Sequence, residues 1–512
     1  MPFLDWVNKN QAKEATREVP YHLLKQVSAH GDISGANADN LLIQGDNLLA
    51  LKALIPFYAG RVKCIFIDPP YNTQSAFEHY DDKLEHSQWL SMMYPRLVLL
   101  RELLAENGSI WITIDDNESH YLKVLMDEVF GRSNFVANVF WQKSPTRENR
   151  TDISAVHDHV LAYAKRKETW KEVRNLLPAS EEQLGRFTNP DDDPRGAWAS
   201  LPAHAKAEVG RRQAQFFTVT TPSGRTVDPP PGRCWLYTEP RFAEMIADGR
   251  IWFGADGSNV PRVKAFLSEV QAGLVPSTFW SYQEVGSNAA AKLEIVRLFP
   301  GITPFSTPKP EGLMQRIIHI ASNPGDTVLD SFLGSGTTAA VAHKMSRRYI
   351  GIEMGEHANT HCLPRLQKVI EGEQGGISAS IGWNGGGGFR FCTLGEPAFD
   401  EQGRISPEVR FATLAAYVWH FETGQPGQQA FDKPLLGVDN GTAYYLLFNG
   451  ILGDRRPAGG NVLTHAVLDA IQQVYPHDGP KVIYGESSRV GAARLTAEGI
   501  TFKQIPYDVK MR

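Results

Sequence analysis

The stretch TVLDSFLGSGTTAAVAHKM, residues 327–345, joins an apolar run to a helix-forming segment through a turn that contains Gly334 and Gly336. Glycine lets the backbone approach a ligand closely, and the first turn of a helix offers unpaired N–H groups to an anion. The next apolar run, residues 347–354, ends near Glu353, an acid that can accept hydrogen bonds from ribose hydroxyls. This strand–turn–helix–strand pattern predicts a parallel α/β sheet that binds a nucleotide-containing cofactor.

The glycine turn alone leaves the class of cofactor open. Gly334-x-Gly336-x-x-Ala339, followed by an acid, also matches the fingerprint of nicotinamide dinucleotide enzymes. A turn that only packs a helix against a strand is the remaining alternative. The pattern therefore indicates an adenosine-containing cofactor without distinguishing between these classes.

Strands and helices also alternate in the first part of the chain. Apolar runs and helical periodicity predict strand 41–46, helix 47–58, strand 62–68, helix 87–106, strand 109–116, helix 118–130 and a strand pair at 134–143 and 157–165. Asn107 and Gly108 predict the end of the long helix. This alternation is typical of a parallel α/β sheet.

The domain organisation is predicted from a change in composition and periodicity between residues 167 and 300. That segment is rich in Pro, Gly, Trp and charged residues and lacks sustained alternation, which predicts a domain inserted into one α/β core. The predicted divisions are an N-terminal arm (1–39), a first part of the core (40–166), the insert (167–300), a second part of the core (301–375) and a small C-terminal α/β domain (376–512).

The composition is that of a globular protein. Of the 512 residues, 42% are hydrophobic and 21% are charged, and no apolar run reaches the ~18 residues of a transmembrane helix. The first twenty residues lack the apolar core of a signal peptide, so we expect a cytoplasmic protein without membrane contact. The four cysteines have no CxxC spacing, so we expect neither a metal site nor disulfides.

Charge is distributed unevenly along the chain. The net charge is -5, yet residues 142–171 contain an excess of basic side chains. Such a surplus can contact phosphate locally while the whole chain stays acidic. We therefore predict that Lys143, Arg147 and Arg150 contact DNA, and a solvated basic surface is the alternative.

DPPY, residues 68–71, lies at a predicted strand end, where open α/β sheets bind their ligands. Asp68 can accept one hydrogen of a nucleobase amino group, and the carbonyl of Pro69 or Pro70 can accept the other. These bonds draw the nitrogen toward a tetrahedral, nucleophilic geometry. Tyr71 offers a ring on which an extruded base can stack. A proline-rich strand end with a capping aspartate is the alternative.

The motifs together resemble those of a known enzyme family. IQGDNLLALKAL, FIDPPYNT, SIWITIDDNE, TNPDDDPRGAW, STPKP, LDSFLGSGTT and GGGFRF, which lie between residues 38 and 395, are similar to motifs of the modification subunits of type III restriction–modification systems. The order, with DPPY first, the glycine turn last and a large insert between them, resembles the β class of amino-group DNA methyltransferases, which use S-adenosylmethionine.

The resemblance implies a Rossmann-like methyltransferase core with a circularly permuted, mixed seven-stranded sheet. It implies that the DPPY residues Asp68, Pro69, Pro70 and Tyr71 are catalytic. The cofactor-binding residues that it implies are Asp46, Asn47, Thr307, Lys309, Asp330, Phe332, Gly334, Gly336, Thr337 and Glu353. Asp115 and Asp116 are expected at the same cleft, unless they only cap the helix predicted from residue 118.

The implied activity is methyl transfer to the N6 amino group of a flipped adenine in double-stranded DNA, in line and without a metal ion. Transfer to cytosine N4 and a catalytically silent DNA-specificity subunit are the alternatives, and a nicotinamide oxidoreductase leaves DPPY unexplained. The insert is expected to recognise the target, and the C-terminal domain to serve assembly as a homodimer. Because the sequence lacks a GxxxxGK[ST] phosphate loop, restriction would need a separate helicase or nuclease subunit.

Overall fold

The computed structural model describes residues 3–35, 39–73, 85–149, 151–179, 184–207, 212–269, 273–301, 303, 305–400, 404–449 and 461–505. It divides into two compact units. The larger unit is Met1–Asn175 together with Ser277–Arg512, and the smaller unit is Leu176–Pro276.

The strands are numbered in chain order. Those before the smaller unit are β1 His22–Gly31, β2 Leu41–Gln44, β3 Val62–Ile67, β4 Leu104–Ile114, β5 Phe135–Gln142 and β6 His157–Ala164. Those of the smaller unit are β7 Trp198–Pro202, β8 His204–Lys206, β9 Val219–Thr220, β10 Thr226–Val227, β11 Arg233–Trp235, β12 Ile251–Trp252 and β13 Arg262–Phe266. Those that follow are β14 Phe279–Trp280, β15 Thr327–Asp330, β16 Arg348–Glu353, β17 Gly388–Pro397, β18 Leu435–Asp439, β19 Thr442–Leu446, β20 Val462–Leu463, β21 Lys481–Gly485, β22 Ser487–Ser488 and β23 Ile500–Gln504.

The helices are named by their residues. Those of the larger unit are Lys9–Glu18, Asn47–Tyr58, His86–Leu103, Ser119–Met126, Lys167–Val173, Tyr282–Val285, Asn288–Leu298, Glu311–Ala321, Thr337–Lys344, Leu363–Ile370, Ser378–Ile381, Phe411–Thr423, His465–Val474 and Ala492–Ala497. The smaller unit contains the helix Glu239–Ala247. No helix among the described residues combines the length and the apolar character needed to cross a membrane.

The main sheet confirms the predicted α/β class. Its strand order is β1-β17-β2-β16-β15-β3-β4-β6-β5-β14. From β2 to β4 neighbouring strands are parallel, whereas β6 is antiparallel to both β4 and β5. The seven strands from β2 to β5 in this order correspond to the predicted mixed sheet, and β1, β17 and β14 extend it to ten. Late strands β15 and β16 lie between early strands β2 and β3, which is the predicted permutation.

The apolar content of the central strands explains their position. All six residues of β3 are buried, as expected for a parallel strand that is covered by helices on both faces. The helices His86–Leu103 and Asn47–Tyr58 contribute side chains to the same core, including Trp89 and Leu51. Burial of one large apolar side chain stabilises the fold by about 1.5–3 kcal/mol, so this core fixes the strand ends that carry the polar residues.

One helix is shorter than the sequence predicts. The long helix ends at Leu103 and not at residue 106, because Leu104 pairs with Val62 and begins β4. Asn107 and Gly108 therefore lie inside β4, at a shift in its register with β3. The strand pairing overrides the helix stop signal that these two residues present.

Two of the predicted domain boundaries, after residue 39 and before residue 376, do not match the structure. Residues 1–39 contain β1, which pairs antiparallel with β17 along the sheet edge, so this segment is not a separate arm. β17 in turn pairs with β2, which makes the glycine-rich GGGFRF segment part of the core and not of the C-terminal domain. The polar sequence of β1 carries too little apolar alternation to have predicted a strand.

The smaller unit is narrower than the predicted insert of residues 167–300. Lys167–Val173 packs against β4, and β14 pairs with β5, so both segments belong to the larger unit. The smaller unit has short antiparallel strands and its own apolar cluster, formed by Ala203, Val219, Val227, Trp235, Phe242, Met245, Ile251 and Phe253. Its aromatic residues Trp198 and Trp235 are buried, as expected for core packing.

The C-terminal part of the larger unit is a small α/β structure, as predicted. β18, β19, β21 and β23 form one sheet in that order, and β20 pairs with β22. The helix Phe411–Thr423 packs on the helix Asn47–Tyr58, and Tyr417 contacts Tyr21 edge to face at 5.1 Å between ring centroids. This part therefore shares an apolar interface with the helix Asn47–Tyr58 and with Tyr21, which precedes β1.

Candidate active site

The carboxyl ends of the parallel strands bring the predicted site residues to one edge of the sheet. Asp68 directly follows β3, β15 ends at Asp330 and β16 ends at Glu353. β15 lies between β3 and β16. The DPPY loop and the glycine turn therefore start from neighbouring strands, although a large part of the chain separates them in sequence. Open α/β sheets bind ligands at this edge.

Asp68 is held by two partners. Thr113 Oγ1, on β4, donates a hydrogen bond to Asp68 Oδ1 at 2.6 Å. Lys309 Nζ forms an ion pair with Asp68 Oδ2. Ile67 lies opposite Ile112 in the β3–β4 register, which brings Thr113 level with Asp68. The carboxylate keeps 22% of its side-chain surface exposed, so it is oriented by these partners and still faces the cleft.

Tyr71 is anchored through its hydroxyl group. The phenol donates to Asp158 Oδ2, on β6, at 3.3 Å. Burial, and then the charges of Asp158 and Asp68, raise the pKa of Tyr71 well above its usual value, so the group is a neutral donor. Lys143 Nζ donates to the other oxygen, Asp158 Oδ1, at 2.6 Å. Asp158 is only 2% exposed, and a carboxylate buried this deeply needs such a cation.

The backbone of the DPPY loop is fixed by a buried tryptophan. Trp89 Nε1, on the helix His86–Leu103, donates to the carbonyl of Pro70 at 2.8 Å. Asn72 adopts a left-handed conformation with φ 58°, and its Nδ2 donates to Glu118 Oε1 at 2.8 Å. The bond from Trp89 engages one of the two prolyl carbonyls that the sequence offered as acceptors, which favours Pro69 for the substrate.

The glycine turn after β15 requires its glycines. Gly334 and Gly336 have φ values of 57° and 80°, in the left-handed region that other residues rarely adopt. The amide of Gly334 donates to Glu353 Oε2 at 2.7 Å, which joins the turn to the end of β16. Gly336 precedes the first residue of the helix Thr337–Lys344. Backbone N–H groups and one carboxylate thus converge above β15 and β16.

Asp330, the last residue of β15, stabilises this turn through two hydrogen bonds. Its Oδ1 accepts the amide of Phe332 at 2.9 Å, and its Oδ2 accepts Thr338 Oγ1 at 2.6 Å. Burial is the main cause that raises the pKa of Asp330 to about 7, with smaller contributions from the charges of Asp68 and Glu353. Asp330 therefore braces the turn from within the protein.

Asp46 and Asn47 begin a helix next to the glycine turn. Asp46 Oδ1 caps the helix Asn47–Tyr58 by accepting the amides of Leu48 and Leu49 at 2.9 and 3.2 Å. Asn47 Nδ2 donates to the carbonyl of Ser331 at 2.8 Å, directly after β15. The structure therefore brings both residues to the predicted cofactor region and gives each a structural contact there.

The other predicted cofactor residues have different surroundings. Thr307 is exposed. Thr337 Oγ1 accepts a hydrogen bond from Arg365 Nη1 at 2.7 Å, inside the protein. Lys309, predicted at the cofactor, contacts Asp68, and its ammonium lies 5.3 Å from the centroid of the Tyr71 ring. Lys309 thus joins the DPPY loop to the segment that precedes the helix Glu311–Ala321.

The predicted DNA contacts are not equivalent in the structure. Lys143 is paired with buried Asp158, which accounts for its charge within the protein. Arg147 is exposed, in the connection between β5 and β6. Arg150 lies outside the described residues.

Asp115 and Asp116 turn in different directions after β4. Asp115 Oδ1 accepts the amide of Asn117 at 3.0 Å, a local bond within the turn that precedes the helix Ser119–Met126. Burial is the largest cause that raises the pKa of Asp115. Asp116 is exposed and lies 2.8 Å from His159 Nε2, a hydrogen bond that lowers the pKa of Asp116. The N-cap residue of the helix Ser119–Met126 is Glu118, without a side-chain cap bond, so neither aspartate has the helix-capping role that the sequence offered as the alternative.

Four residues that contact the DPPY loop were not among the predicted site residues: Trp89, Thr113, Glu118 and Asp158, of which Thr113 and Glu118 lie within the SIWITIDDNE motif. Each contacts the DPPY loop from a different strand or helix, so its role depends on tertiary register. The sequence carried one hint for Asp158, which is a charged residue between two histidines in a strand predicted to be apolar. Because side chains alternate along a strand, Asp158 must face the side opposite to the histidines, where it needs a polar partner.

The donor set at the glycine turn fits S-adenosylmethionine. Such a cofactor needs acceptors for ribose hydroxyls and close backbone approach for its amino-acid part. Glu353 and the two left-handed glycines supply these features. Ser331 Oγ, also at this turn, is buried and lacks a hydrogen-bond partner among the described residues, so it can still bond to a ligand.

Comparison with known proteins agrees with this geometry. The model of the DNA methylase family N6_N4_Mtase matches residues 62–361. The chain is 34% identical over 485 residues to the type III restriction-modification enzyme StyLTI Mod subunit of Salmonella typhimurium, covering 88% of this chain and 70% of that protein. It is 29% identical over 425 residues to the EcoP15I Mod subunit of Escherichia coli, covering 69% of this chain and 64% of that protein.

Among solved structures, the M1.HpyAVI–SAM complex matches 64% of this chain and 98% of its own, at 17% identity and a TM-score of 0.31. A TM-score of this size carries no argument about activity. The family model, in contrast, covers more than half of the chain, and the match to the StyLTI Mod subunit exceeds two thirds of that protein. The resemblance inferred from the motifs is thereby confirmed: the chain belongs to the DNA methylase family, as an S-adenosylmethionine-dependent methyltransferase similar to type III modification subunits.

Proposed function

We propose that this protein transfers a methyl group from S-adenosylmethionine to the N6 amino group of a flipped adenine in duplex DNA. One observation carries the proposal. Asp68 and Tyr71 follow β3, immediately beside the glycine turn after β15, so a base receptor and a cofactor cradle share one edge of the sheet.

Asp68 and the Pro69 carbonyl receive the two hydrogens of the target amino group. The Pro70 carbonyl already accepts the indole of Trp89, so we assign the second amino hydrogen to the Pro69 carbonyl. Hydrogen bonds to two acceptors draw the nitrogen lone pair out of conjugation and direct it at the methyl group. The ring of Tyr71 stacks on the extruded base, with its hydroxyl tied to Asp158.

Lys309 occupies the place of the target amino group before the base binds. Its ammonium contacts Asp68 and lies near the face of Tyr71, the two groups that hold the base in this mechanism. Insertion of the base therefore requires Lys309 to release Asp68. The released carboxylate then accepts the amino hydrogen and orients the nitrogen for attack.

Glu353 and the glycine turn are the residues that would hold the cofactor. When bound, S-adenosylmethionine supplies an electrophilic methyl group on a positively charged sulfur. Glu353 would accept the ribose hydroxyls, and the left-handed Gly334 and Gly336 would allow the backbone to approach the cofactor. Positioning and hydrogen bonding then supply most of the rate, because direct transfer needs no covalent enzyme intermediate.

A transfer assay tests this assignment. The protein is incubated with labelled S-adenosylmethionine and a mixed-sequence DNA duplex, and the DNA is then digested to nucleosides and analysed by mass spectrometry. N6-methyladenine is the expected product. N4-methylcytosine would replace the base assignment, and cofactor binding without label on DNA would favour a silent specificity subunit.

Partners follow from the same assignment. The named relatives are modification subunits of restriction–modification enzymes, so we propose that a separate subunit performs DNA cleavage and that this chain forms a homodimer. The smaller unit reads the target sequence, and the C-terminal α/β part contributes to assembly. Light scattering of the purified chain is expected to give twice the mass of one chain, and a monomer at micromolar concentration would contradict the dimer.

A further inference from the structure

The edge of the main sheet carries a cluster of metal-ligating side chains that methyl transfer does not use. His157 and His159 alternate with Asp158 on β6, so their imidazoles share one face of the strand. Asp116 lies just beyond the end of the neighbouring strand β4. One ligand atom from each of Asp116, His157 and His159 falls within 4.8 Å of the other two.

The cluster is oriented by its neighbours. The Nδ1 atom of His159 lies 3.0 and 3.3 Å from the two side-chain amide atoms of Asn138, on β5. The other ring nitrogen, Nε2, points at Asp116 Oδ1 and lies 2.8 Å from it. A proton on Nε2 makes this contact a hydrogen bond, and a metal ion would take the place of that proton while the Asn138 side chain orients the ring. A bond to the distal ring nitrogen is the usual way in which proteins fix a metal-binding histidine.

An aromatic side chain packs against both imidazoles. The ring centroid of Phe140 lies 5.1 Å from that of His157 and 5.2 Å from that of His159, and the two histidine centroids are 5.3 Å apart. Tetrahedral zinc bonds of about 2.1 Å place ligand atoms roughly 3.4 Å apart, so small side-chain rotations close the present spacing. Asp116 keeps 64% of its side-chain surface exposed, which leaves room for water as a further ligand.

We propose that His157, His159 and Asp116 bind a divalent transition-metal ion of the zinc class. Two imidazoles and one carboxylate favour Zn²⁺, Co²⁺ or Ni²⁺, whereas Mg²⁺ prefers oxygen ligands alone. The site lies on the face of β6 opposite to Asp158, which holds Tyr71. The ion therefore takes no part in methyl transfer, and it links the hairpin of β5 and β6 to the turn after β4.

Metal titration of the full-length protein tests the proposal. After chelator treatment and buffer exchange, calorimetric titration with ZnCl₂ is expected to show one saturable site per chain with a micromolar or lower dissociation constant. His157→Ala and His159→Ala are expected to remove that site, and Asn138→Ala to weaken it roughly 10- to 100-fold. His204→Ala, in the smaller unit, is the matched control and should leave the titration unchanged.

A spectroscopic measurement on the unaltered protein keeps the test independent of variant folding. X-ray absorption of the zinc complex is expected to show nitrogen and oxygen ligands at about 2.0–2.1 Å with imidazole scattering. A sulfur shell would overturn the proposal, because it would assign the ion to cysteine. Failure of the parent chain to bind Zn²⁺, or a site that persists in the His157→Ala/His159→Ala double variant, would also overturn it.

Discussion

The DPPY loop and the glycine turn follow neighbouring strands, but one acts through its side chains and the other through its backbone. The DPPY loop works through side chains, each held by a partner from another strand or helix. The glycine turn works through its backbone, in conformations that only glycine adopts easily. The contrast teaches that changes in the loop should alter turnover, whereas changes in the turn should alter cofactor affinity.

Asp68→Ala is expected to have the largest effect, because it removes the acceptor of the target amino group. We expect methyl transfer to fall roughly 1,000-fold or more, in line with the loss of one preorganised catalytic hydrogen-bonding group. Cofactor affinity should stay within a few-fold of the parent, because Asp68 faces the base. A single-turnover assay measures the transfer rate, and an equilibrium titration measures the cofactor affinity. A transfer rate near that of the parent would refute the role of DPPY.

Tyr71→Ala tests the stacking surface of the same loop. Stacking of one base on an aromatic ring contributes about 1–3 kcal/mol, so we expect a 10- to 100-fold loss in transfer efficiency. Tyr71→Phe is the matched control, because it keeps the ring and removes only the bond to Asp158. Fluorescence of 2-aminopurine at the target position reports base flipping. Equal losses in both variants would show that the hydroxyl, and not the ring, carries the effect.

Gly334→Ala tests whether the left-handed backbone of the glycine turn is needed for cofactor binding. A side chain at φ 57° strains the turn, and a Cβ atom there would lie 3.1 Å from the ring of Phe305. The left-handed conformation costs about 1–2 kcal/mol, so cofactor affinity should fall roughly 10-fold. Gly60→Ala has a similar φ of 68° in open space and serves as the control. A larger loss for Gly60→Ala in cofactor titration would contradict the assignment.

Lys143→Met and Arg147→Met separate a structural lysine from a DNA-contacting arginine. Loss of Lys143 leaves Asp158 buried without its cation, so the thermal midpoint should fall and Tyr71 should be less well anchored. Loss of exposed Arg147 should spare the midpoint and reduce the salt dependence of DNA binding by about one phosphate contact. Thermal unfolding and binding at several salt concentrations check this pair. A reduced salt slope for Lys143→Met alone would reverse the assignment.

The pH dependence of stability offers the smallest expected effect. Burial raises the pKa of Asp330 to about 7, above its ordinary value of 3.8, so the folded state retains a proton that the unfolded chain releases. The stability from this group is therefore fully present at low pH and declines as pH rises from about 4 to 7. Asp330→Asn removes this decline, so its thermal midpoint relative to the parent should improve as pH rises. A constant difference would contradict the raised pKa.

Contiguous motifs were predictable from the sequence, and their partners were not. DPPY and the glycine turn are local patterns at strand ends, and the structure brings them to one edge as expected for a parallel sheet. Thr113 and Asp158 reach the site only through the register of β4 and β6. Lys309 was predicted at the cofactor because its motif precedes the glycine turn, yet it contacts Asp68. A motif identifies a segment, and only packing decides which neighbour its side chain contacts.

The strands of the main sheet also divide into those that the sequence predicted and those that it did not. Apolar runs predicted the seven strands of the core, and five of these, from β2 to β4 in the sheet, are parallel strands of the kind that is buried and apolar on both faces. β1 is mostly polar, and its pairing with β17 depends on a partner more than 350 residues away. The HDH sequence at residues 157–159 also shows how alternation can divide functions, since one strand presents Asp158 to Tyr71 and two histidines to the other face.

The position of β15 has a consequence for biosynthesis. This strand lies between β3 and β16 in the sheet, yet the ribosome makes it only after the smaller unit. A nascent chain therefore exposes the apolar edge of β3 until residue 330 has emerged, and chaperones that bind unpaired strands have that whole interval in which to act. Premature termination within the smaller unit leaves a polypeptide that has the complete DPPY sequence but lacks β15 and β16, so we expect it to be degraded.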